Sequence, residues 1–135
     1  MDDEGLAELF WGVSRRLRAR TRTALEPFGV APAQARALGV LLGHGPLRLS
    51  ELAERLRIAP RSATEVVDDL QQRHLVVRRP DPADRRATLV DLTPAGTAAG
   101  QAIRDARRAE SARFFGALSA ADRADLGRVL RQLRD

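Results

Sequence analysis

The sequence contains no cysteine. Disulfides, thiolate metal sites and any thiol-based redox switch intrinsic to the chain are thereby excluded. Lysine is absent too, so all 23 basic residues are arginine. GC-rich coding bias produces such a composition and inflates the pI of about 11.3. The net charge of +5 still favours anionic partners, nucleic acid above all. No apolar run approaches the ~18 residues of a membrane span. The start "MDDEG" is acidic, where a secretory signal is basic and then apolar. A cytoplasmic protein with no membrane partner is expected. A Gly-rich phosphate loop, a nucleophile–base arrangement and a metal-ligand cluster are all missing, and His44 and His74 stand apart in no H-E-x-x-H pattern. Neither an enzyme nor a metal or other cofactor is expected.

What is present suits one domain of 135 residues, or a small core completed by a partner. Residues 5–26 read as a helix with Leu6, Phe10, Val13, Leu17 and Ala24 on one stripe. Trp11 and Leu25 lie off that stripe and give the helix a second apolar contact. Arg15, Arg18 and Arg22 share another face, open either to solvent or to DNA or a ligand. "EPFGVAP" breaks the pattern, and Pro32 opens a helix that continues through "AQARALGVLLGHG". "PLRL" is a short extended connector. Ser50 is positioned to cap the next helix, in which Leu52, Ala53 and Leu56 face inward.

A further short helix spans Pro60 to about His74, with Ala63, Val66, Val67 and Leu70 inward. Pro60 suits its first turn, whereas Ser62 and Glu65 have capping-box spacing and place the start later. "LVVRR" and "ATLVDL" form a hairpin whose connection is longer than a two-residue turn. Thr93 and Pro94 start a helix that runs to about Ala117. Ser119 and Asp122 cap a last one, with Leu126, Val129, Leu130 and Leu133 on its apolar side. The fold class is therefore mostly α with a small β-hairpin wing, two short helices and a basic hairpin making a winged helix-turn-helix. The terminal helices leave apolar faces that a second copy would cover. Leu6, Phe10, Phe114, Leu126, Leu130 and Leu133 are the expected interface.

"GPLRLSELAERL", the helix with Thr64, and "RRPDPADRRATLVDLTPAG" together resemble the MarR-type transcriptional regulators over nearly the whole chain. The most specific part is the D-x-R of the wing, Asp84 to Arg86, followed by L-T-x-x-G from Leu92 to Gly96. The resemblance implies a homodimeric, ligand-responsive DNA-binding protein, mostly a repressor in this family, acting on a palindromic double-stranded operator. It implies one domain, 1–135, with dimerisation helices in 1–29 and 93–135 and a DNA-binding lobe in 30–92. It also implies that the Pro60–His74 helix enters the major groove and the 80–86 loop the minor groove. An aromatic-lined pocket between the first two helices and the long C-terminal one is implied too. Trp11, Arg15 and His44 are its candidate lining, for a small aromatic or amphipathic effector. Two positions depart from the family pattern: Glu65 stands where arginine is common, and His74 where glycine is usual. With Glu65, Asp68 and Asp69 the recognition helix is unusually acidic, which leaves open a winged-helix interaction module that has lost DNA binding.

On that helix Arg61, Glu65, Asp68 and Gln72 point away from the apolar stripe. Arg61 can pair with guanine, and Ser62 and Thr64 with bases or phosphates. Glu65 either accepts from cytosine N4 or serves only as a capping carboxylate. In the wing, Asp84 and Arg86 project to one side of an extended segment, so the carboxylate can hold the guanidinium ready for a narrow A·T-rich minor groove. Pro80 and Pro82 stiffen the loop and remove two amide donors, so that it does not extend the sheet. Arg78, Arg79 and Arg85 suit phosphates.

Overall fold

Proline opens three of the helices, because its fixed φ is helical and the missing N–H is not needed in a first turn. The computed structural model describes residues Met1–Asp135. The element order is α1 (Asp3–Leu25), a 3-10 turn (Glu26–Phe28), α2 (Pro32–His44), β1 (Leu47–Arg48), α3 (Leu49–Leu56), α4 (Pro60–Gln72), β2 (Val76–Asp81), β3 (Asp84–Leu92), α5 (Pro94–Phe115) and α6 (Ala120–Arg134). The three strands form an antiparallel sheet in the order β1-β3-β2. No helix is long and apolar enough to cross a membrane.

The chain divides into two compact units, Leu25–Ala106 on one side and Met1–Ala24 with Arg107–Asp135 on the other. Leu25 and Ile103 are buried in the cluster of the Leu25–Ala106 unit. Every buried hydrophobic side chain of the protein belongs to that unit, with Leu38, Leu47, Leu52, Leu56, Val67, Leu70, Val76 and Val90 fully enclosed. Each such leucine or valine contributes about 1.5–3 kcal/mol through burial. The stripe Ala63, Val66, Val67 and Leu70 is buried throughout, as its i, i+3, i+4, i+7 spacing requires. The other unit buries no hydrophobic side chain, and its single buried residue is Glu110.

The starts of α1 and α3 differ from expectation, and α4 begins at the earlier of the two starts its signals offered. Glu51 Oε1 accepts the Arg48 amide at 3.1 Å, which sets the start of α3 at Leu49 and leaves Ser50 inside the first turn. Pro60 sets the start of α4, with Ala59 before it, so Ser62 and Glu65 form no capping box. The other caps agree: Ser119 Oγ accepts the Asp122 amide at 3.1 Å, and Thr93 Oγ1 accepts the Gly96 amide at 2.9 Å.

Candidate nucleic-acid interface

α3 and α4 each end in a Schellman motif that places a non-glycine residue in the left-handed region. These residues are Arg57 (φ 55) and His74 (φ 59). After α3, the Ile58 amide donates to Ala53 O and the Arg57 amide to Glu54 O; after α4, Leu75 donates to Leu70 O and His74 to Gln71 O. The sharp stop after α3 lets Pro60 open α4 at once, and the stop after α4 feeds directly into the wing. The outward face of α4 carries Arg61, Ser62, Glu65, Asp68 and Gln72, all exposed. Thr64 is half-buried, and its hydroxyl donates to Pro60 O at 3.0 Å.

The wing pairs regularly from Val76↔Leu92 to Pro80↔Thr88 and then skips to Asp81↔Asp84. Its connection is therefore the two residues Pro82 and Ala83, shorter than the sequence suggested. Strand pairing resumes at the tip because Arg85, Arg86 and Ala87 loop out of β3 opposite Pro80, which has no amide to pair with them. Arg85 and Arg86 are exposed on this bulge.

Asp84 does not hold the Arg86 guanidinium, as its spacing suggested. Its Oδ1 accepts the Arg86 backbone amide at 3.0 Å, an Asx turn that shapes the bulge itself. Arg78 and Arg79 are also engaged within the protein. Arg78 Nη2 lies 2.6 Å from Asp68 Oδ1, and Nη1 donates to Gln71 Oε1, tying β2 to α4. Arg79 Nη2 lies 2.7 Å from Asp91 Oδ2. Of the arginines expected to meet DNA, those without an acidic partner are Arg61, Arg85 and Arg86.

A third pair joins two residues that the sequence did not single out. Asp81, 9% exposed, receives Arg48 Nε at 3.1 Å and Nη2 at 2.9 Å on Oδ2, while Oδ1 accepts the Ala83 amide at 2.9 Å. The Ala83 amide and then the Arg48 guanidinium hold the Asp81 carboxyl below its ordinary pKa, and Asp81 in turn raises that of Arg48. The Asx turn at Asp81 has a local signal in "DPA"; the link to Arg48 has none.

The remaining candidates are divided between the two units. His44 borders a shallow hollow of about 410 Å³ with Gly39, Val40, Gly43 and Arg55. Trp11 is 56% exposed on α1, its ring edge-to-face on Phe10, and Arg15 is exposed as well. In the same unit a cleft of about 380 Å³ is lined by Ala19, Arg20, Thr23, Ala24, Glu110 and Arg113. Arg113 donates to Glu110 Oε2 at 2.7 Å, and Arg20 Nε stands 2.6 Å from Oε1 in an ion pair. Arg113 first, with Arg20, holds the Glu110 carboxyl below its ordinary pKa despite burial. Of the expected interface residues, Leu6, Phe10 and Leu133 are exposed, and Phe114, Leu126 and Leu130 half-buried.

A short helix pair with a polar outer face, followed by a hairpin displaying unpaired arginines, defines a winged helix-turn-helix protein. A family model described as the MarR family matches residues 28–87. Over 105 residues the chain is 32% identical to the HTH-type transcriptional repressor MdtR of Bacillus subtilis strain 168, covering 78% of this chain and 68% of that protein. A MarR family protein from Bacillus stearothermophilus is similar in structure, with a TM-score of 0.84 at 26% identity, covering 99% of this chain and 96% of that one. BpsR of Bordetella bronchiseptica, whose DNA binding is regulated by 6-hydroxynicotinic acid, has a TM-score of 0.77 at 27% identity, covering 96% and 92%. The chain belongs to the MarR family, whose named members are transcriptional regulators and not enzymes. It spans 68% of the length of MdtR and 62% of that of the repressor NicR of Pseudomonas putida.

Proposed function

We propose that the protein is a sequence-specific DNA-binding transcriptional regulator, working as a homodimeric repressor that a small-molecule ligand releases from its operator. The observation that carries the reading is the pairing of α4's outward polar face with a wing whose Arg85 and Arg86 have no acidic partner. Arg61, Ser62, Thr64 and Glu65 are then the candidates for base and phosphate contacts in a major groove, and Arg86 for the minor groove. Dimerisation is supported by a terminal unit that buries no hydrophobic side chain while Leu6, Leu9, Phe10, Trp11 and Val13 stand about half exposed. Release by a ligand is supported by the BpsR likeness, and it requires the ligand to bind the DNA-incompetent form more tightly than the competent one.

Selection of duplexes from a random-sequence library, followed by mobility shift at several salt concentrations, tests the reading. A palindromic consensus bound with steep salt dependence is the expected result. The acidity of α4 favours a second reading, an interaction module without DNA binding. Failure to enrich any duplex would decide for it.

A further inference from the structure

Asp81 and Glu110 are the only buried charged residues in the chain, and Asp81 lies at the tip of a hairpin, where a turn does not require burial. Its two oxygens do different work. Oδ1 closes the turn through the Ala83 amide, and Oδ2 takes two donors from Arg48, which stands on β1 opposite Leu89. Arg48 is also the residue whose amide, bound by Glu51, sets the start of α3. One residue thus joins the first helix of the helix-turn-helix to the turn of the wing. Beyond Asp81↔Asp84 the strands lose pairing for the whole of the Arg85–Ala87 bulge, so little else in the sheet fixes the height of the tip.

We propose that Arg48 and Asp81 are positioning residues that fix the wing turn, and with it Arg85 and Arg86, relative to α4 before DNA arrives. The proposal rests on the DNA-binding reading above. Without the strut the bulge would be ordered only on binding, and the entropy of ordering it would weaken the complex. The effect falls on the groove the wing enters, which separates positioning from a general contribution to stability.

The test uses a duplex selected from the random-sequence library and the same duplex with the A·T pairs at its wing positions changed to G·C. Asp81→Asn removes a negative charge, so simple electrostatics predicts tighter binding to both. The strut predicts about tenfold weaker binding to the A·T duplex with little change on the other, the scale of one lost base contact. Arg48→Ala is expected to erase the same discrimination. Combining it with Asp81→Asn should add nothing further, because both remove one interaction. The exchanged pair Arg48→Asp with Asp81→Arg should recover part of the discrimination. In the free protein, amide exchange at Ala83 should accelerate in Arg48→Ala, because the carboxylate that accepts this amide is no longer held. An Asp81→Asn variant that binds the A·T duplex as tightly as the parent overturns the proposal, as do additive single effects. A library that enriches no duplex overturns the DNA-binding reading instead. An Ala83 amide equally protected in the parent and in Arg48→Ala overturns the strut itself, whatever the library yields.

Discussion

Gly96→Ala is the substitution whose outcome the geometry fixes most sharply. A methyl carbon built on Gly96 would lie 1.8 Å from the Leu75 carbonyl oxygen and 2.9 Å from its carbon. Ordinary contact needs roughly 3.5 Å, so the first turn of α5 or the Leu75 peptide must move by more than ~1 Å. Neither moves freely. The Leu75 oxygen accepts the Thr93 amide at 3.1 Å, Thr93 Oγ1 accepts the Gly96 amide, and the same hydroxyl donates to His74 O at 2.6 Å. Loss of the cap costs about 1 kcal/mol, and each of the other two hydrogen bonds about 1 kcal/mol. Alanine's better helix propensity returns at most ~1 kcal/mol. The net expectation is destabilisation by roughly 2–3 kcal/mol, a fall of about 10 °C in Tm. Gly39→Ala is the matched control. Gly39 is also helical but faces open space, with nothing within 4 Å of the added carbon. It should gain about 0.5–1 kcal/mol. Urea unfolding followed by circular dichroism measures both. A Gly96→Ala protein as stable as the parent would refute the steric reasoning.

Four further outcomes are expected. His74→Gly removes the cost of a left-handed non-glycine residue and should raise stability by about 1 kcal/mol with an unchanged urea m-value, whereas a lower urea midpoint would count against the Schellman assignment. Asp81 and Glu110 both have lowered carboxyl pKa values, so the stability they supply is complete above the ordinary carboxylate range near ~4 and is lost as pH falls through their depressed values. Thermal melts should therefore decline more gently below ~pH 4 in Asp81→Asn than in the parent, and parallel declines would contradict this. Sedimentation should give twice 14.8 kDa for the parent, and Leu130→Arg should weaken assembly by placing an unpaired charge at the interface; a monomer that binds DNA tightly is the opposing result. Glu65→Gln should relax any preference for cytosine at one operator position if Glu65 reads a base, and should tighten binding to all sequences equally if it does not.

What could be read from the sequence was what repeats at helical spacing. Ala63, Val66, Val67 and Leu70 declared the inner face of α4, and the structure buries each of them. Thr93 and Ser119 were legible as caps because a cap acts on amides two or three residues away. Ser50 and Ser62 carried the same local signal and lost to stronger neighbours, Glu51 in one case and the ring of Pro60 in the other. The wing was harder. Pro80 and Pro82 suggested a long irregular loop, but the strands pair again at Asp81 and Asp84, and the irregularity is pushed into β3. The Arg48–Asp81 and Arg78–Asp68 pairs join different elements, 33 and 10 residues apart, and no periodicity announces a contact made by the fold.

These cross-element pairs change the meaning of the acidic recognition helix. Read as a sequence, Glu65, Asp68 and Asp69 set three negative charges where a polyanion should dock. In the folded protein Asp68 is bound by Arg78, so that pair meets DNA as a local dipole, whose field falls off faster than that of a lone charge and is screened further by salt. Asp69 lies 3.4 Å from the Gln34 amide, on the side of α4 that faces α2. Only Glu65 is left with neither a hydrogen bond nor an ion pair. The alternative open to it in the sequence, a capping carboxylate, is removed by the start of α4 at Pro60. An unengaged carboxylate on the outward face weakens binding to every duplex unless a base donates to it, and in the major groove the cytosine amino group is such a donor. The acidity of α4 thus narrows to one residue, and we propose that this residue discriminates between sequences.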